Sequence, residues 1–126
     1  MKNVLVIDDN AAFGRMLQAS IEDSIGDDVA CSVAVFENGD EGIKHLAKER
    51  ADLVITDLIM PGKEGLEIIM EIKKRFADVK VFAVSGGGPF DPSCSLEIAE
   101  KLGARGFAKP LSMGSFLTNV REALGL

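Results

Sequence analysis

Three aspartates, a serine and a lysine stand at the ends of short apolar runs in this sequence. Asp8 and Asp9 follow Val4-Leu5-Val6-Ile7, and Asp57 follows Leu53-Val54-Ile55-Thr56. Ser85 follows Val81-Phe82-Ala83-Val84, and Lys109-Pro110 follows the weaker run Gly106-Phe107-Ala108. Carboxylates gathered in one place repel one another, and all stay ionised only if a cation is supplied. An oxygen-only donor set, with no His or Cys beside it in sequence, selects a hard ion such as Mg²⁺ or Mn²⁺ over zinc. A hydroxyl and an ammonium at the same rim suit a phosphoryl group, one donating to an oxygen and the other supplying compact positive charge. Taken singly, each residue has a plainer reading. An aspartate after a strand forms a turn or caps a helix, a lysine before proline is a solvated turn residue, and Gly86-Gly87-Gly88 is a loop.

The chemistry therefore rests on whether the fold gathers these residues, and the elements between them say that it does. The apolar runs, together with Val33-Ala34-Val35, are short and β-branched, and they alternate with longer segments of helical period. Phe13, Met16, Leu17, Ile21 and Ile25 share a face behind Asn10, a good N-cap, and Gly26 is placed to end that helix. Ile43, Leu46 and Ala47 mark a shorter second helix, and Gly65, Ile69, Ile72 and Phe76 line a third. Asp91-Pro92 opens a fourth that carries Leu96, Ala99 and Leu102 up to Gly103, and Phe116, Leu117, Val120 and Leu124 stripe a fifth. Strands that read as continuous apolar runs are buried on both faces, and helical crossovers imply parallel pairing. The expectation is an α/β, doubly wound (βα)5 sandwich with a five-stranded parallel sheet in the flavodoxin-like order 2-1-3-4-5. Its crevice lies beyond the carboxyl ends of the first and third strands, where Asp8, Asp9 and Asp57 stand.

Composition narrows the function. The chain has 126 residues, 47% hydrophobic and 27% charged, which fits one soluble domain over 1-126 and leaves no sequence for an output domain. A net charge of -6 with no basic stripe longer than Lys73-Lys74-Arg75 disfavours nucleic acid. Residues 1–62 hold twelve acids against five bases, so the carboxylate chemistry belongs to the first half. Cys31 and Cys94 form no CxxC pair or disulfide framework and read as inert. No run is long enough for a signal peptide or a membrane span, so no membrane partner is expected and the location is read as cytoplasmic. His45 reads as a surface residue and Met16, Met60, Met70 and Met113 as core or turn filler.

With the residues together, the chain resembles the receiver domain of two-component response regulators, of the stand-alone chemotaxis type. The matching pieces are Ile7-Asp8-Asp9-Asn10, Leu53-Val54-Ile55-Thr56-Asp57 with Met60-Pro61-Gly62 and Gly65 behind it, Val84-Ser85-Gly86 and Lys109-Pro110, in the family's order and close to its spacings. The resemblance implies that Asp57 is the phosphoacceptor, taking a phosphoryl group from a histidine of a sensor kinase or phosphotransfer protein and signalling to a separate downstream protein. It implies Mg²⁺ held by Asp9, Asp57 and the main-chain carbonyl of Ile59, with Asp8 helping mostly through water. Ser85 would bond the phosphoryl group, Lys109 would pair with it, and the Lys109-Pro110 bond would be cis.

The sequence also departs from that pattern. An aromatic residue is common three positions before the lysine, where this chain has Gly106; Phe107 stands two before it. The stretch is one residue short, and a one-residue slip reverses which face Phe107 serves, leaving an aromatic-switch role and plain core packing both open. Ile59 and Gly87 offer no polar side chain at positions that influence water attack in this family, so slow loss of phosphate is expected. The glycine run predicts a mobile loop after the fourth strand.

Other classes fit less well. A degenerate receiver acting as a constitutive docking module would not need its chemical residues. A phosphatase of the haloacid dehalogenase kind needs a DxD pattern that Asp8-Asp9-Asn10 lacks. A flavin module would want a phosphate cradle where two carboxylates stand.

Overall fold

The computed structural model describes residues 1–27, 29–58, 65–86 and 92–126, with the backbone alone at 92–95. Along the chain run β1 (Lys2–Ile7), α1 (Ala11–Ile25), β2 (Cys31–Phe36), α2 (Gly39–Lys48), β3 (Leu53–Asp57), α3 (Gly65–Arg75), β4 (Lys80–Ser85), α4 (Pro92–Lys101), β5 (Arg105–Ala108) and α5 (Met113–Ala123). The strands form one parallel sheet in the order β2-β1-β3-β4-β5. The crossover direction reverses between β1 and β3, as the alternating pattern requires.

Strand side chains alternate faces, so the runs feed two cores. Val4, Val6, Leu53, Ile55, Phe82 and Val84 pack with Leu17 and Ile21 of α1 and Phe116 and Val120 of α5. Leu5, Ile7, Val54, Val81 and Ala83 pack on the other side with α2, α3 and α4. These are buried apolar runs on both faces, which is what removes the polar alternation from the sequence.

Helix boundaries follow local chemistry. The Asn10 side chain accepts the Phe13 N–H at 3.1 Å, and Gly26 ends α1 at φ 73°, where glycine carries no steric penalty. Asn38 caps α2 in the same way, accepting from Glu41 N–H at 2.9 Å. Pro92 opens α4, while Asp91 lies outside the described residues. The first-helix stripe holds at Leu17, Ile21 and Ile25 with Phe13 packed beside them, and Gly14 joins it against the sheet, with Val35 Cγ1 2.6 Å from where a Cβ would sit. Met16 is 39% exposed and Met70 56% exposed, so neither fills the core as expected. Met113 is half-buried against the α1/α5 core, and Met60 lies outside the described residues. No helix is long and apolar enough to cross a membrane among those described.

Candidate functional site

Register brings the acidic residues level. Ile7 pairs with Thr56 and Asp57 with Val84, so Asp8 and Asp57 each stand one step past a paired position at adjacent strand ends. Main-chain bonds carry the sheet past its strands: Asp8 N–H donates to Phe36 O at 3.0 Å, Leu58 N–H to Val84 O at 3.0 Å and Lys109 N–H to Ser85 O at 2.8 Å. Asp8, Asp57 and Lys109 lie two residues beyond Val6, Ile55 and Phe107, all members of the α1/α5 core. Strand alternation therefore sends these three side chains to the same side of the sheet. Ser85 lies two beyond Ala83 and serves the opposite face.

One carboxylate oxygen from each of Asp8, Asp9 and Asp57 falls within a 4.8 Å cluster, with Asp8 and Asp57 buried and Asp9 exposed. Lys109 Nζ lies 3.3 Å from Asp8 Oδ2 and 3.6 Å from Asp57 Oδ2. Among the described residues, one ammonium stands against three carboxylates, which leaves room for further positive charge. Three oxygen donors, two of them buried and one open to solvent, suit a hard divalent cation that keeps part of its water. The donor set thus fits Mg²⁺. Ile59, expected to add its carbonyl, lies outside the described residues.

The start of α1 is tied into this cluster. Asn10 N–H donates to Asp8 Oδ1 at 2.8 Å, and the Asn10 side chain caps Phe13. The Phe13 ring lies under the lysine ammonium, with Nζ 4.0 Å from its centroid. Sequence periodicity assigned Phe13 to the core stripe alone. Its place one turn after the cap that binds Asp8 is the signal that it also faces the strand ends.

Ser85 Oγ is buried and has no hydrogen-bond partner among the described residues. An unpaired buried hydroxyl is costly, and it is ready to bond a group brought to the rim. Two glycines make room for the neighbours. A Cβ on Gly86 would come 2.7 Å from Lys109 Cδ, so glycine lets the lysine stem cross the end of β4. A Cβ on Gly65 would strike the main chain of Asp57 and Leu58, so α3 begins hard against the end of β3. The Lys109-Pro110 bond is cis.

The short final strand sets which face Phe107 serves. Its ring lies 4.9 Å from Phe82 and 5.0 Å from Phe116, inside the α1/α5 core. Gly106 instead faces α4, where Leu96 occupies the space an aromatic side chain would need. Phe107 thus packs on the α1/α5 face, and Lys109 still reaches Asp57. Gly87 and the rest of the glycine loop lie outside the described residues.

The remaining candidates stay apart from this rim. His45 stacks against Phe36 at 5.1 Å and lies 3.6 Å from Glu49. Arg75 is bonded to Glu71 at 2.8 Å, and Lys73 donates to Val79 O at 3.4 Å. Burial, then the charges of Glu22 and Asp52, push the Cys31 thiol above its ordinary value. The Cys94 side chain lies outside the described residues. A cavity of about 400 Å³ is present, but Ala51 and Val79 in its wall precede β3 and β4, so it opens at the far end of the sheet from the carboxylates.

Residues 4–121 match the family model described as the response regulator receiver domain. Among solved structures, a response regulator receiver domain protein from Clostridium thermocellum superposes with a TM-score of 0.85 at 25% identity, covering 99% of this chain and 95% of that one. The receiver domain of NtrX from Brucella abortus gives 0.79 at 26% identity, covering 97% and 98%. The chemotaxis protein CheY4 of Vibrio cholerae shares the fold with a TM-score of 0.80 at 21% identity, covering 98% and 99%.

Proposed function

The chain belongs to the response regulator receiver domain family, and we propose that it accepts a phosphoryl group on Asp57 from a phosphohistidine and signals through a separate protein. The observation that carries this reading is the meeting of Asp8, Asp57 and Lys109, with one ammonium 3.3 Å and 3.6 Å from two buried carboxylates at the crevice between β1 and β3.

A carboxylate needs no base to become a nucleophile, so the Asp57 oxygen can attack directly. It bonds to phosphorus as the phosphorus–nitrogen bond of the donor breaks, and the nitrogen keeps that electron pair. The obstacle is repulsion between the carboxylate and the phosphoryl oxygens. Lys109 opposes it with a positive charge at the rim, and the buried Ser85 Oγ has its donor capacity open for a phosphoryl oxygen. Asp8, Asp9 and Asp57, with the carbonyl of Ile59, would hold Mg²⁺, which supplies further positive charge to the same oxygens when bound. The kinase or phosphotransfer donor sets this reaction in the cytoplasm.

Acetyl phosphate tests the reading without a cognate kinase. Wild-type protein takes label only with Mg²⁺ present, and Asp57→Asn takes none. Label retained by Asp57→Asn, or wild type left unlabelled at saturating donor and metal, would overturn it.

A further inference from the structure

The contact that the family chemistry leaves unused is the one between Phe13 and Lys109. Four links close a ring around the ammonium. Asp8 Oδ1 accepts from Asn10 N–H at 2.8 Å, Asn10 Oδ1 accepts from Phe13 N–H at 3.1 Å, the Phe13 ring sits 4.0 Å from Lys109 Nζ, and Nζ returns to Asp8 Oδ2 at 3.3 Å. We propose that Phe13 is a positioning residue, whose ring face holds the Lys109 ammonium between Asp8 and Asp57. The consequence for phosphotransfer rests on the phosphoacceptor reading above; the positioning itself does not.

The reason lies in what a ring face offers that a polar partner does not. An ammonium has three N–H donors. A carboxylate or carbonyl in place of Phe13 would take one of them and compete with Asp8, Asp57 and an incoming phosphoryl oxygen. The ring attracts the positive charge through its negative face and claims little of the ammonium's directional donor capacity. It also closes one side of a charge that would otherwise be pulled toward water, since Lys109 keeps only 22% of its side-chain exposure. Gly86 completes the guide by letting the stem pass. The ammonium is thus held by an attraction that does not tie it to one oxygen, so it can shift from Asp8 toward a phosphoryl group.

Phe13 also packs against the α1/α5 core, so the test must separate ring electrostatics from packing. Fluorinated phenylalanines at position 13, from 4-fluoro through 3,5-difluoro to pentafluoro, weaken the negative ring face stepwise at nearly constant shape. Phe13→Leu removes the face and keeps apolar volume, while Phe13→Trp restores a stronger one. The first readout is the NMR shift of the Lys109 ε-methylene, moved upfield by the ring in wild type. The second is the rate of labelling by acetyl phosphate at saturating Mg²⁺.

The expected result is a stepwise fall of labelling rate across the series, reaching about fivefold in Phe13→Leu, with recovery in Phe13→Trp and loss of the upfield shift in Phe13→Leu. Unchanged melting temperatures across the fluorinated series exclude a folding effect. A Lys109 methylene without a ring shift in wild type, or rates indifferent to fluorination, would overturn the proposal. If wild type takes no label but the ring shift is present, the positioning stands and the phosphoacceptor reading falls.

Discussion

Leu96 of α4 lies directly over Gly106 of β5. A Cβ on that glycine would come 3.1 Å from Leu96 Cδ2 and 3.2 Å from Leu96 Cβ. This contact closes α4 onto the sheet at the position where receivers commonly carry an aromatic side chain. An added ring must therefore push α4 away. Gly106→Tyr is expected to destabilise the fold by about 1–3 kcal/mol by overpacking. Adding Leu96→Ala should return part of that loss, because the two side chains then share one volume. Urea unfolding of the single and double variants checks this, and strict additivity would count against the contact.

Cys31 gives a pH prediction. Its thiol is pushed above the ordinary value of 9.0 by burial first and then by Glu22 and Asp52. The thiolate is the reactive form, so Cys31 should alkylate more slowly than an unstructured cysteine at neutral pH. A raised folded value also means that the stability gained from keeping this thiol neutral is fully present below about pH 9 and is lost as pH rises through the folded value. Iodoacetamide labelling of a Cys94→Ser variant across pH is the measurement. Fast alkylation at pH 7 contradicts it.

Much of this was legible because each feature had a local cause. The strands show as β-branched runs, since both their faces are covered, and Asn10 and Gly26 mark the ends of α1 by cap chemistry. What stayed hidden depended on partners far away in sequence. Helical period could not tell that Gly14, rather than Met16, meets the sheet, because Val35 on β2 decides it. Nor could the short final strand reveal which face Phe107 serves. That follows from Ser85 pairing with Ala108 and from Lys109 N–H reaching the Ser85 carbonyl. The three aspartates were found through the strand-order rule, whereas the Phe13 ring under Lys109 joins residues distant in sequence and left no local sign beyond its place after Asn10.

Loss of phosphate should be slow in the isolated protein. Ile59 and Gly87 bring no polar side chain to positions that bear on water attack in this family, so neither can orient a water by hydrogen bonding. Decay of the acyl phosphate is then expected over many minutes to hours after excess donor is removed, followed by intact-mass measurement. Ile59→Glu or Ile59→Asn should shorten it. Decay within seconds in the unmodified chain would sink this expectation.

The charge imbalance in the cluster predicts how metal and stability are linked. Asp8 and Asp57 are 2% and 7% exposed, and with Asp9 they place three carboxylates against one nearby ammonium among the described residues. Their mutual repulsion is relieved on unfolding, so it lowers the stability of the metal-free protein. Asp57→Asn removes one charge, and Lys109 keeps Asp8 as a partner at 3.3 Å. That variant should therefore be more stable than wild type without metal, by about 1 kcal/mol. Mg²⁺ that binds only the folded form adds about 1.4 kcal/mol at ten times its dissociation constant. Wild type should thus gain in melting temperature as Mg²⁺ is added, Asp57→Asn should gain less, and the gap between them should narrow. Thermal melts of both proteins with EDTA and across a Mg²⁺ series check the argument. A metal-free Asp57→Asn less stable than wild type would show that the carboxylate is held by attraction stronger than the repulsion.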